Sequence, residues 1–104
     1  ICGNTLDRLD YIAGTGMAAF HFDSKVSAFD AKRVVGDRIR LIGNVNNPVT
    51  LHGGSIEAVR REVHQALEAG VDIIGPECAV PLDTPVEALA AIRPAVEEYY
   101  RAHE

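Results

Sequence analysis

The chain has 104 residues, 47% of them apolar and 24% charged, and a formal net charge of -5. That balance is too apolar for a disordered chain and sized for a single unit, so residues 1–104 are read as one domain. The ten basic residues form no stripe, and no apolar run nears the roughly 18 residues of a bilayer span, which excludes a general nucleic-acid surface and a membrane-crossing helix.

Ile1-Cys2-Gly3 has the character of the last residues of a strand. A start on isoleucine rather than methionine leads us to expect a piece of a longer polypeptide. Leu6, Leu9 and Ile12 then fall at helical spacing, and Gly14-Thr15-Gly16 ends that run. Residues 17–22, 39–45 and 71–76 are short, apolar and sized like strands. Their near-continuous apolar character predicts strands buried on both faces of a parallel sheet, with His21 in the middle of the first. Between the first two, a helix is expected with Phe29, Arg33 and Val34 along one turn series, stopping at Gly36. The one long connection, residues 44–54, follows the second strand. Ser55 then caps a helix whose apolar face is Ile56, Val59, Val63 and Leu67, with Gly70 as a left-handed terminator. For the last helix the expected start is Thr84 as cap, Pro85 at the first helical position and Glu87 completing a capping box. Pro94 cannot donate to the carbonyl of Ala90, which predicts a kink.

Strand–helix alternation four times over predicts an α/β chain of four parallel βα units with right-handed crossovers. Four units are half of an eight-unit barrel; an open doubly wound sheet is the competing arrangement. In both, chemistry gathers at the carboxyl ends of the strands. Those ends carry Cys2, Asn4 and Thr5, then Asp23, then Asn44, Asn46 and Asn47, then Glu77 and Cys78. A closed barrel brings Cys2 and Cys78 round one mouth, whereas a flat sheet holds edge strands too far apart. Plainer roles stand beside each. The two cysteines suit buried apolar positions or a disulfide, although two cysteines do not make a secreted disulfide framework and the chain is read as cytoplasmic. Asp23 suits a helix cap, Asn44 and Asn47 braces for the long loop, Asn4 the closing of its own turn, and Glu77 a solvated rim carboxylate.

The stretches ICGNT, LIGNVNNPVTLHGG and GPECAVPLDTPVEAL together resemble the C-terminal part of the uroporphyrinogen decarboxylase-like superfamily. Within it they look most like the zinc-dependent methylcobamide:thiol methyltransferases. The resemblance covers nearly all of this chain and about the last third of a family member. It implies the C-terminal half of a (β/α)8 TIM barrel that holds Zn2+ at its mouth through one His and two Cys. Cys2 and Cys78 match the two thiolate ligands; in the family motif His-x-Cys-Gly-Asn the histidine stands just before Ile1. His21, His52, His64 and His103 do not match that position, and only His52, in the long loop, lies near the mouth. The implied reaction moves a methyl group from a methylated corrinoid, carried by a corrinoid protein, to a small thiol such as coenzyme M. Asn4, Asp23 and Asn44 are the candidate substrate-binding residues. Two other readings remain. One is a metal-free tetrapyrrole decarboxylase, the superfamily's namesake, which has no use for the two cysteines. The other is an inactive half-barrel that self-associates through its open strand edges.

Overall fold

The computed structural model describes residues 1–103 of the chain. Its three short apolar runs become β1 (Ala19–His21), β2 (Arg40–Val45) and β3 (Ile73–Pro76), side by side in chain order and all parallel. Ala19 stands opposite Arg40, and Ile42 opposite both His21 and Ile73. Parallel neighbours need long crossovers, and α2 (Ala28–Val35) and α3 (Ile56–Ala69) supply them. A 3-10 turn, Leu6–Arg8, leads into α1 (Leu9–Ala13) ahead of β1. After β3 come α4 (Val86–Ala90) and α5 (Ile92–Ala102).

All the helices serve one layer. Phe20, Phe22 and Leu41 of the sheet region meet Leu9, Val26, Ala31, Val35 and Ala66 in one buried cluster. Val45 meets Leu51, Val59, Val63, Leu67, Ala88 and Ala95 in a second. The result is a slab of 37 × 35 × 18 Å. Its other face is uncovered: His21 is exposed and Ile73 is 55% exposed. The expectation of strands buried on both faces therefore fails for that side, because no second layer lies over it among the described residues.

Local signals fared unevenly. Ser55 accepts the Ala58 amide at 3.1 Å, and Gly70 adopts φ 100°, ψ 20°, so both ends of α3 are as expected. Ile56, however, is 51% exposed and so does not belong to the buried face. α2 forms and stops at Gly36 as expected, with Val34 packed against the core and Arg33 exposed. Its fully buried residues are Ala31 and Val35, while Phe29 is 53% exposed. The expected capping box is also absent. Pro85 is extended at ψ 130° and itself precedes the helix, so Glu87 falls one place early and the buried Thr84 hydroxyl has no partner. In place of the kink expected at Pro94, helix stops at Ala90 and resumes at Ile92, which puts Pro94 in a first turn where its missing N–H breaks nothing. Residues 1–3 are not part of a strand, although the Ile1 nitrogen donates to the His21 carbonyl at the end of β1 at 2.7 Å. No helix among the described residues is long and apolar enough to cross a membrane.

Candidate metal centre

Regular pairing ends where Phe22 donates to the Ile42 carbonyl and Glu77 to the Val45 carbonyl. At that level the sheet curls. His21 closes β1 rather than lying within it, and its Nε2 stands 2.7 Å from the Pro76 carbonyl oxygen of β3. Strands two apart in a flat sheet are separated by roughly 10 Å, so this bond requires the ends of β1 and β3 to converge over β2. Gly43 makes the approach possible. It has φ 135°, and a Cβ there would lie 2.8 Å from the Phe22 carbonyl oxygen and 3.5 Å from the His21 ring.

The same convergence brings the cysteines together. Cys2 is anchored on both sides, by the Ile1 nitrogen, which donates to the His21 carbonyl, and by the Gly3 amide, which donates to Asp23 Oδ2 at 2.7 Å. Cys78 lies two residues beyond the end of β3. Their Cα atoms are 5.9 Å apart and their sulfurs are bonded to one another. Both sulfurs and a carboxylate oxygen of Asp23 lie within 4.8 Å of one another. Asp23 is buried and spends its oxygens on the amides of Gly3 and Lys25, not on a helix end. Burial works against its charge. The amides of Gly3 and Lys25, with the Lys25 ammonium, outweigh it and hold the carboxyl below its ordinary 3.8.

Around this trio the loops are joined by side chains. Glu77 is 7% exposed, which corrects the reading of it as a solvated rim group. It accepts the Ser24 amide at 2.7 Å and the Asn47 amide at 3.0 Å. Asn47 also donates from Nδ2 to the Ala79 carbonyl, while its own Oδ1 is buried and unpartnered. Asn44 donates to the carbonyls of Val26 and Asp23, so it braces the loop that carries Asp23. Asn4 accepts the Leu6 amide and closes its turn. His52 pairs with Asp83 at 3.0 Å, away from the sulfurs, and its hydrogen bond is the main cause of the lowered Asp83 carboxyl.

Two features escaped the sequence reading. The long loop contains a helical turn, Asn47–Leu51, whose cap Asn46 accepts the amides of Val49 and Thr50. Asn46 followed by Pro48 was the available signal. Glu62 of α3 pins that turn, accepting the Asn46 amide at 2.7 Å and the Thr50 hydroxyl at 2.6 Å. An acid between Val59 and Val63, on the buried side of the helix, hinted at such a partner.

Two sulfurs with a carboxylate oxygen are a donor set that zinc accepts. A Cα separation of 5.9 Å falls inside the disulfide range, and on reduction the same two positions offer both thiolates to one ion. The residues fit a metal.

The family model described as uroporphyrinogen decarboxylase (URO-D) matches residues 1–99. The methylcobamide:CoM methyltransferase MtaA of Methanosarcina barkeri is 38% identical over 101 residues, covering 96% of this chain and 30% of that protein. A methylated-thiol–coenzyme M methyltransferase of Methanosarcina mazei is 31% identical over 98 residues, 94% of this chain and 26% of that one. A uroporphyrinogen decarboxylase of Bordetella petrii is 35% identical over 100 residues, with 90% and 27% covered. Among solved structures, a methyltransferase from Methanosarcina mazei superposes with a TM-score of 0.92 at 38% identity, covering 96% of this chain and 30% of that one. The chain thus spans less than a third of the length of these relatives and has the fold of part of a barrel.

Proposed function

The chain belongs to the uroporphyrinogen decarboxylase family, and from that footing we propose that the protein carrying it is a zinc-dependent methyltransferase. It moves a methyl group from a methylated corrinoid, presented by a corrinoid protein, to a small thiol such as coenzyme M. The observation that carries this reading is the meeting of Cys2, Cys78 and Asp23 at one point above the strand ends. The similarity to coenzyme M methyltransferases supports it.

In this reading Cys2 and Cys78 hold Zn2+ as thiolates, with a histidine from outside this chain. Bound there, the metal lowers the pKa of a thiol in its open position and keeps it as a nucleophilic thiolate. The chain's own residues prepare that position. Two cysteine thiolates and the ionised Asp23 make the mouth anionic, which keeps sulfur electron-rich. Asp23 and Asn4 border the thiol substrate. Asn44 acts on it through the Asp23 loop, because its amide nitrogen is occupied by Val26 and Asp23. Reduced cysteines suit a cytoplasmic protein, with no nucleic-acid or membrane partner. The 104-residue piece by itself lacks activity and associates with further copies.

A metal-free tetrapyrrole decarboxylase is the second reading, favoured by the similarity to the Bordetella petrii decarboxylase. Metal analysis of the full-length protein separates the two. We expect about one zinc per chain, lost with Cys78→Ser. A metal-free protein that decarboxylates a tetrapyrrole would overturn the methyltransferase reading.

A further inference from the structure

Beyond the strand ends no backbone ladder holds the loops, yet three of them must keep Cys2, Asp23 and Cys78 in one small volume. One side chain joins them. Glu77 sits next to Cys78 in the chain, its Oε2 accepts the amide of Ser24 in the loop after β1, and its Oε1 accepts the amide of Asn47 in the loop after β2. Ser24 is the chain neighbour of Asp23. Asp23 in turn holds the Gly3 amide beside Cys2. The line of contact therefore runs from Cys78 through Glu77 and the Ser24 amide to Asp23, and from Asp23 through the Gly3 amide to Cys2. Glu77 and Asp23 are each 7% exposed.

We propose that Glu77 is a positioning residue, which sets Cys78 against Cys2 and Asp23 by clamping the two neighbouring loops. As a route to metal binding this rests on the methyltransferase reading; as a statement about sulfur geometry it does not. Only a carboxylate serves, because two acceptor oxygens must each meet an N–H from a different loop. Glutamine has one acceptor and would turn an NH2 toward the second amide. Glu62 is the natural comparison. It also takes two donors, but both belong to the loop after β2, and it ties them to α3 rather than to the cysteines.

The test uses the full-length protein, reduced and metal-free, with Glu77→Gln and Glu62→Gln variants of confirmed fold. Co2+ is titrated while thiolate-to-cobalt absorption is followed. Separately, diamide is added; it takes up two electrons and two protons as the Cys2–Cys78 bond forms, and peptide mass mapping times that closure. We expect Glu77→Gln to weaken Co2+ binding by about 10–100-fold. Disulfide closure should slow about tenfold or more, as misplacement of reacting atoms demands. Glu62→Gln should match the wild type in both. If Glu77→Gln does not fold, Glu77→Asp, which keeps the charge but withdraws both oxygens by one methylene, must show the same two losses. Equal closure rates in wild type and Glu77→Gln, or equal slowing by Glu62→Gln, would overturn the proposal. A wild type that closes its disulfide normally and shows no Co2+ absorption sinks the metal reading instead, and the closure rates still decide the role of Glu77.

Discussion

Asp23 is the residue in which position and chemistry are most closely tied. The end of β1 puts it at the mouth, and the amides of Gly3 and Lys25 are two of the main reasons its carboxyl is held below 3.8 despite burial. The sign of the pH effect follows. The unfolded chain, with the higher pKa, takes up the proton first on acidification. The stabilisation from Asp23 is complete above its ordinary pKa and is lost as pH falls through the lower, folded value. Urea midpoints of the metal-free protein followed from about pH 6 to about pH 2 should therefore drop at the acid end, and Asp23→Asn should flatten that drop. An unchanged acid limb in the variant would mean that the loss comes from other carboxylates. Glu77 teaches the opposite lesson. Its sequence context suggests a wet rim, and only its two amide partners give it a structural task.

At the scale of elements, α3 is the firmest piece of the chain. Its ends are set by Ser55 and Gly70, and Val59, Val63 and Leu67 face the sheet. It also reaches α5, where Arg60 forms a forked pair with Glu98 and holds that carboxyl below its ordinary range, chiefly by hydrogen bonding. Ser55→Ala should lower stability by about 1 kcal/mol, read as a shift of the denaturation midpoint, because the Ala58 amide loses its acceptor. A shift near zero would show that solvent replaces the cap at no cost. The start of α4 shows why capping patterns can mislead. Thr84, Pro85 and Glu87 have the right spacing, but proline's fixed φ suits an extended residue as well as a helical one, and here ψ is 130°.

For the whole molecule, the decisive feature is a sheet that is covered on one face and curled at its carboxyl end. The curl lets His21 reach Pro76 and Cys2 reach Cys78 across an intervening strand. It also leaves β1 and β3 as sheet edges, with Ile73 more than half exposed and Met17 at 65%. Edges and open apolar surface of this kind favour association. Light scattering on the isolated 104-residue chain should report a dimer or larger species; a stable monomer would show that the uncovered face tolerates water.

What the sequence determined by itself was largely local or periodic. The three apolar runs, the alternation of strand and helix, Ser55, Gly36 and Gly70 depend on neighbours a few residues away, so they could be read along the chain. The placing of Asp23, Asn44, Glu77 and Cys78 near the carboxyl ends of strands followed from the same alternation. Which of these side chains touch was decided by tertiary structure. The buried faces of α2, the role of Glu62, the clamp at Glu77 and the closeness of the two sulfurs all depend on how far the sheet bends, and that depends on packing between residues as far apart as Cys2 and Cys78. Periodicity carries no record of such curvature, because a flat and a curled parallel sheet use the same alternation of elements.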